Sequence, residues 1–239
     1  MNKLTSFFQV IVAIVIFSLF ATCNADSLND LFNHEERQWL DKHNGQITLS
    51  VESNYAPFAF IDKDGITQGL ATEYIELIEN RMNFRFKKIR ANSLDEIFIK
   101  AKEKKVDVIN AVTETPGRSE FLTFTKPFIE IPNVIIVRNE HSETLTLETM
   151  KDMKVSLVKS YAVTEYIEKN YKNLDLDIVP DDLTALLHVL SNVTDSAVID
   201  LATATYLIKS KGISNLHIAG EIQYSANLAL ASRRDMPLL

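Results

Sequence analysis

Apolar positions along the chain fall into two successive sets, each alternating short β-type runs with helical stripes. In the first set, I-T-L-S-V (47–51) alternates and predicts a strand. Two short apolar runs then flank Asp64-Gly65, a hairpin signal. From Ala71 the positions Tyr74, Ile75, Leu77, Ile78 and Met82 predict a helix. Phe84 to Ile89 predicts a second strand, with Lys87, Lys88 and Arg90 on a solvated edge. Asn92 or Ser93 is placed to cap a helix reaching Lys104, with Asp95 and Glu96 in its first turn, where the helix dipole favours acids. Val106, Val108, Ile109, Ala111 and Val112 then form an apolar run without helical period, as a strand covered on both faces does.

The run I-P-N-V-I-I-V-R (131–138) is β-branched enough to cross into a second set. That set is predicted as a short helix near Leu147–Met153, strand Lys154–Val158, helix Val163–Asn170, strand Leu176–Val179, helix Leu183–Asn192, strand Ala197–Ile199, helix Leu201–Ser210 and strand Leu216–Ala219. A last strand, L-A-L-A-S (228–232), could return to the first set. Strand and helix in alternation imply mostly parallel sheets with flanking helices. The expectation is therefore an α/β protein of two lobes, each with its own mixed sheet, joined by a two-stranded hinge. Lobe 1 takes residues 46–136 and 222–239, and lobe 2 takes residues 137–221. Residues 26–45 form a polar helical lead-in that braces the body. Ligands of such sheets bind beyond the carboxyl ends of strands, here in the cleft.

The N-terminus differs from the rest. Lys3 precedes an apolar run from Phe7 to Phe20, followed by small and polar residues, which predicts an export signal cleaved before Asp26. At about 14 residues the run is short of the roughly 20 that a spanning helix needs. Lipidation at Cys23 and an uncleaved anchor are the alternatives. Removing residues 1–25, whose single charge is Lys3, leaves 214 residues, a formal charge of −8 and no cysteine, so no disulfide can form despite an oxidising compartment.

The full chain carries 25 Lys and Arg against 32 Asp and Glu, a formal charge of −7 that argues against a duplex nucleic-acid binder. The histidines, His34, His43, His141, His188 and His217, lack ligand spacing, so no metal site is expected. No nucleophile elbow, phosphate loop or zincin motif occurs, and neither a catalytic activity nor a cofactor has support. Glu35-Glu36 and Asp181-Asp182 are expected to be exposed faces or helix starts rather than acid/base pairs. What remains is the turn after the covered strand, T-E-T-P-G-R. There Arg118 stands beside hydroxyls and free backbone N–H groups, a combination that suits a carboxylate. An internal salt bridge to Glu114 or Glu120 is the competing reading.

Three stretches carry a resemblance: Y-A-P-F-A-F-I-D-K-D-G-I-T-Q-G-L-A-T-E-Y, V-D-V-I-N-A-V-T-E-T-P-G-R-S-E-F-L-T-F-T-K-P-F and V-S-L-V-K-S-Y-A-V-T-E-Y-I. Their order and spacing resemble the family 3 extracellular solute-binding proteins, periplasmic Venus-flytrap modules of the polar amino acid type. E-E-R-Q-W-L and T-x-T-P-x-R are most similar to the sensory domains of envelope-spanning sensor histidine kinases.

The resemblance implies that Arg118 grips a ligand α-carboxylate, with Thr113 as a hydroxyl donor and the turn Ser160, Tyr161, Ala162 meeting the same group from the second lobe. It implies that Asp200 takes the α-amino group, an alternative being that it caps the following helix. Tyr55 and Phe58 resemble an aromatic wall, and Glu52 lies where cation-preferring members place an acid. The function implied is closure on a small zwitterion, for delivery to an ABC permease or for signalling through a fused kinase or cyclase. A murein-cleaving enzyme carrying this module is a third possibility, which needs a catalytic domain the chain does not contain. Members of the family continue with a helix where this chain stops at R-R-D-M-P-L-L, so a truncated piece or a degraded copy is expected.

Overall fold

A computed structural model of the chain describes residues 32–236. The predicted export signal and the cysteine lie outside the described residues.

Residues 32–41 are a unit of their own. Asn33 and Glu36 form a reciprocal cap, each backbone N–H donating to the other's side chain at 2.9 Å, and helix α1 (His34–His43) follows. Glu35 and Glu36 thus sit in a first helical turn, as expected.

The remaining residues form the two-lobed α/β fold. In the first lobe come β1 (Thr48–Glu52), the small antiparallel sheet of β2 (Asn54–Tyr55), β3 (Ala59–Ile61) and β4 (Thr67–Gln68), and helix α2 (Leu70–Met82). They are followed by β5 (Lys87–Ala91), α3 (Leu94–Lys102), β6 (Val108–Thr113), the single turn α4 (Pro116–Ser119) and β7 (Leu122–Phe124). Strand β8 (Ile129–Arg138) leads into β9 (Lys154–Val158), α5 (Ala162–Asn170), β10 (Asp175–Val179), α6 (Asp182–Leu190), β11 (Ser196–Asp200) and α7 (Leu201–Ser210). Strand β12 (Leu216–Arg233) returns.

Strands β8 and β12 pair antiparallel along their length and carry the hydrogen bonding from one lobe into the other, in the order β10-β9-β11-β8-β12-β6-β1-β5. The sheets of the two lobes are therefore joined through their hinge. Helices cover both faces, which is why β6 and β11 are buried at every position.

Three local outcomes differ from the sequence reading. The stretches 216–219 and 228–232 belong to one strand of 18 residues, because pairing with β8 continues through the residues between them despite Gly220, Ser225 and Asn227. Its pairing with β8 slips between Glu221 and Ser225, and that bulge falls at the hinge. No helix forms at Leu147–Met153. The Thr149 hydroxyl accepts from the Thr146 N–H and donates to the Thr146 carbonyl, and this turn competes with a helix while Leu147 and Met150 still fill the core. In α2 the buried face is Ala71, Thr72, Ile75 and Glu79, and Tyr74 and Leu77 point outward. Glu79 is held inside by the Phe86 N–H, which donates to its carboxylate at 2.9 Å.

Ser93 is the cap of α3, accepting from the Glu96 N–H at 3.2 Å. Ser93→Ala is expected to cost about 1 kcal/mol of folding stability, readable as a lower urea midpoint with unchanged slope. No change in midpoint would mean that the cap contributes nothing.

Candidate functional site

The turn after β6 is built by its own residues. Thr115 caps α4 by accepting from the Arg118 N–H at 3.4 Å, and Pro116 fits the first helical position. This places Arg118 at the cleft, 3% exposed, with its guanidinium 4.9 Å from the Phe98 ring centroid. Within the strand that precedes the turn, β6 carries an extra residue relative to β12 between Ile109 and Val112, and Ala111 adopts φ 53 there. Ala111, Val112 and Thr113 consequently all line the cleft.

The second lobe meets Arg118 directly. Nη1 donates to the Thr113 carbonyl at 2.6 Å, while Nη2 donates to the Ser160 carbonyl at 2.7 Å and to Glu165 Oε1 at 3.0 Å. Nε is buried without a hydrogen-bond partner. Burial lowers the guanidinium pKa from its ordinary value, and the Glu165 charge opposes that shift. The expected internal partners, Glu114 and Glu120, are not the ones used. Glu165, on the first turn of α5, is, and the sequence offered only a generic acidic first turn there.

Ser160 has φ 64, a left-handed conformation that glycine would take without strain. Its hydroxyl compensates by donating to Asp95 Oδ1 at 2.9 Å, beside the Lys159 ammonium at 3.0 Å from Oδ2. Asp95 at the start of α3 thus ties the same turn to the first lobe.

On the far side of the cleft three carboxylates gather. Glu52, at the end of β1, is 8% exposed and accepts from the Leu94 N–H. Asp200 is 5% exposed, caps α7 by accepting from the Thr203 N–H at 2.8 Å, and accepts from the Tyr55 hydroxyl. Asp182 accepts from the Tyr161 hydroxyl at 3.1 Å, and its Oδ1 has no partner. Asp181 and Asp182 both stand at a helix start, as expected: Asp181 caps α6, accepting from the Thr184 N–H at 2.8 Å, and Asp182 is the first residue of that helix. Asp182 is nevertheless 1% exposed, in contact with the Tyr161 hydroxyl.

Burial pushes the Glu52 carboxyl up to about 7, with the Leu94 N–H opposing the shift. Burial also raises Asp200 and holds Asp182 well above the usual carboxylate range, the latter helped by the Asp200 charge. The phenols of Tyr55 and Tyr161 are raised by burial and then by these acids. Such a cluster suits a proton or an organic ammonium. Among the described residues no group of acids, histidines or cysteines is arranged to hold a metal ion.

Between Arg118 and the acids lies a space of about 40 Å³, lined among others by Glu52, Tyr55, Thr113, Arg118, Tyr161 and Asp200. Ala162, on the first turn of α5, also lines it. The structure therefore brings together eight of the nine predicted site residues, Ser160 through its contact with Arg118. Phe58 is set apart: it is 2% exposed and packs in the core with Ala71, Ile131 and Leu228, behind Tyr55 at a ring distance of 5.1 Å. Sequence reasoning missed Glu165, Asp182, Asn133 and Tyr224. Asn133 Nδ2 donates to the Tyr224 carbonyl at 2.9 Å across the hinge bulge, and neither residue carries a local motif.

Comparison with known proteins places this geometry. The virulence sensor protein BvgS of Bordetella pertussis is 22% identical over 215 residues, which is 90% of this chain and 17% of BvgS, so the chain spans about a sixth of that relative. The crystal structure of its periplasmic VFT2 domain superposes with a TM-score of 0.78 at 22% identity, covering 87% of this chain and 88% of that domain. A histidine kinase sensor domain with similarity to periplasmic binding proteins gives 0.76 at 23% identity, over 82% and 85% of the two chains. The arginine-bound form of truncated ArgBP from T. maritima gives 0.72 at 22%, over 86% and 94%. At these identities the superpositions establish the fold. The profile of the bacterial extracellular solute-binding proteins, family 3, matches residues 47–210, a span that runs from β1 through α7 and contains Arg118, Tyr161 and Asp200. A hinged pair of lobes facing each other across a charged cleft, together with that match over most of the sequence, leads to one assignment: the chain belongs to the bacterial extracellular solute-binding proteins, family 3.

Proposed function

We propose that the chain is the ligand-sensing domain of an envelope-spanning signalling protein of the sensor histidine kinase type, and that closure of its two lobes on a small ammonium-bearing solute is the signal. The family and fold are those of exported, periplasmic domains that bind solutes without transforming them. Among the described residues no helix is long and apolar enough to cross a membrane. Similarity to sensor proteins, covering 90% of the chain in the case of BvgS, favours sensing over delivery to an ABC permease.

The observation that carries the ligand reading is the polarity of the cleft, which is lined by Arg118 and by the buried carboxylates Glu52 and Asp200, with Asp182 bonded to the Tyr161 hydroxyl. An α-amino acid matches both ends: its carboxylate fits the planar fork of Arg118, and its ammonium supplies the missing counter-charge for Asp200 and Glu52. Thr113 and the first turn of α5, at Tyr161 and Ala162, frame the carboxylate end, and Tyr55 forms the wall. A solute that touches both lobes binds the closed state better and shifts the population towards it.

Thermal melting of the exported, purified chain against the common amino acids, their decarboxylated amines and neutral sugars tests this. A rise in melting temperature with one or more amino acids is expected. A rise with sugars alone would sink the zwitterion reading.

A further inference from the structure

The cleft is closed although it has almost no room for a solute. A space of about 40 Å³ holds a few water molecules, whereas pockets for small molecules occupy hundreds of Å³. What fills the cleft is the second lobe's own chain between Lys159 and Glu165.

Tyr161 occupies the middle. Its ring packs against both buried clusters of the second lobe and both clusters of the first lobe that border the cleft. It meets Tyr55 edge-on at 5.8 Å, and its hydroxyl donates to Asp182 at 3.1 Å. Glu165, four residues on and so on the same side of α5, extends its carboxylate to Arg118 Nη2 at 3.0 Å. The ring, packed on Tyr55, and the carboxylate, on Arg118, together bridge the lobes as a bound amino acid would.

The Glu165 grip is one-sided. It uses Nη2 alone and leaves Arg118 Nε buried with no acceptor, although a guanidinium can hold a carboxylate through two parallel donors. The Glu165 side chain is 44% exposed, so it can swing into water at little cost. An entering carboxylate therefore has a better position available than the one Glu165 occupies.

We propose that Tyr161 and Glu165 act as a built-in ligand: they hold the lobes closed in the absence of a solute, and Glu165 is the competitor that a solute carboxylate must displace from Arg118. This rests on the reading of the cleft as the solute site. Its consequence is that Glu165 sets affinity in a direction opposite to an ordinary contact residue. Removing it weakens the ligand-free closed state and leaves the liganded state, in which it is already displaced, unchanged.

The contrast with Asp95 makes the proposal testable. Asp95 also bridges the lobes, through Lys159 and Ser160, but it does not touch Arg118. Small-angle scattering of the ligand-free wild type, Glu165→Gln and Asp95→Asn should show a compact wild type and an expanded form for each variant. Calorimetric titration with each common amino acid should show Glu165→Gln binding about two- to five-fold tighter than wild type, the range of a half-exposed ion pair. Asp95→Asn should bind no tighter than wild type. All three should melt cooperatively, since the substituted side chains lie at the cleft edge.

An expanded ligand-free wild type overturns the proposal. Equal or weaker binding by Glu165→Gln overturns it too, and if the wild type binds an amino acid in that experiment, the solute-site reading survives. Failure of wild type and Glu165→Gln alike to bind any amino acid removes both.

Discussion

Arg118→Ala is expected to weaken amino acid binding by about thirtyfold or more, while the chain still folds cooperatively. Truncating one partner of a buried, hydrogen-bonded charge pair costs roughly 2–5 kcal/mol of binding, and Arg118 is the cation that meets the second lobe inside the cleft. Folding should tolerate the change for a different reason. The guanidinium is itself desolvated, with Nε unpartnered, so its removal relieves a cost while leaving the Thr113 and Ser160 carbonyls without their donor. Arg118→Lys should not rescue binding, because a single ammonium cannot present the planar fork or span Thr113 and Ser160 together. Titration calorimetry with a full-length melting curve as control decides the matter. Retained affinity in Arg118→Ala would mean that the solute does not engage this residue.

Glu52→Gln should stabilise the protein at pH 8 and have much less effect at pH 5. The folded-state value of about 7 lies above the ordinary 4.5, because burial penalises the charged form. A carboxyl raised in this way binds its proton more tightly in the folded chain. Its contribution therefore favours folding most below about pH 4.5 and is lost as pH rises through about 7. At pH 8 the wild type must bury a charge, at a cost of up to about 3 kcal/mol at 1.36 kcal/mol per pKa unit. Gln removes that charge and keeps an acceptor for the Leu94 N–H. Near pH 5 the gain should shrink to about 1 kcal/mol or less. Asp182 and Asp200 shift in the same direction and remain in both proteins, so the difference between the two urea midpoints reads Glu52 together with its charge coupling to Asp182. A gap that does not vary with pH would show that Glu52 is already solvated, and with it that the cleft is open.

Both expectations depend on residues the sequence displays to different degrees. Arg118 was readable because a covered strand ends in T-x-T-P-x-R, where proline and threonine fix a turn and leave an arginine at its edge. Asp200 was readable as well, and its two readings proved compatible: it caps α7 and also lines the cleft. Asp182 and Glu165 were opaque. Each is an acid in the first turn of a helix, where the dipole alone justifies its presence, and nothing local marks which of the first-turn acids faces inward. Phe58 erred the other way, since an aromatic after a strand reads equally as wall or core, and the packing of α2 chose core.

The sequence by itself determined the order of strands and helices, the division into two α/β sets, the return of the last strand and the turn that presents Arg118. Those features follow from hydrophobic period, capping residues and turn formers, which act over a few residues. Tertiary structure alone decided that β8 and β12 run unbroken through both lobes, that three carboxylates converge opposite Arg118, and that Tyr161 and Glu165 occupy the cleft. Each of these is a contact between residues distant in the chain, and its formation depends on how two separately packed lobes meet. Local periodicity carries no record of that meeting.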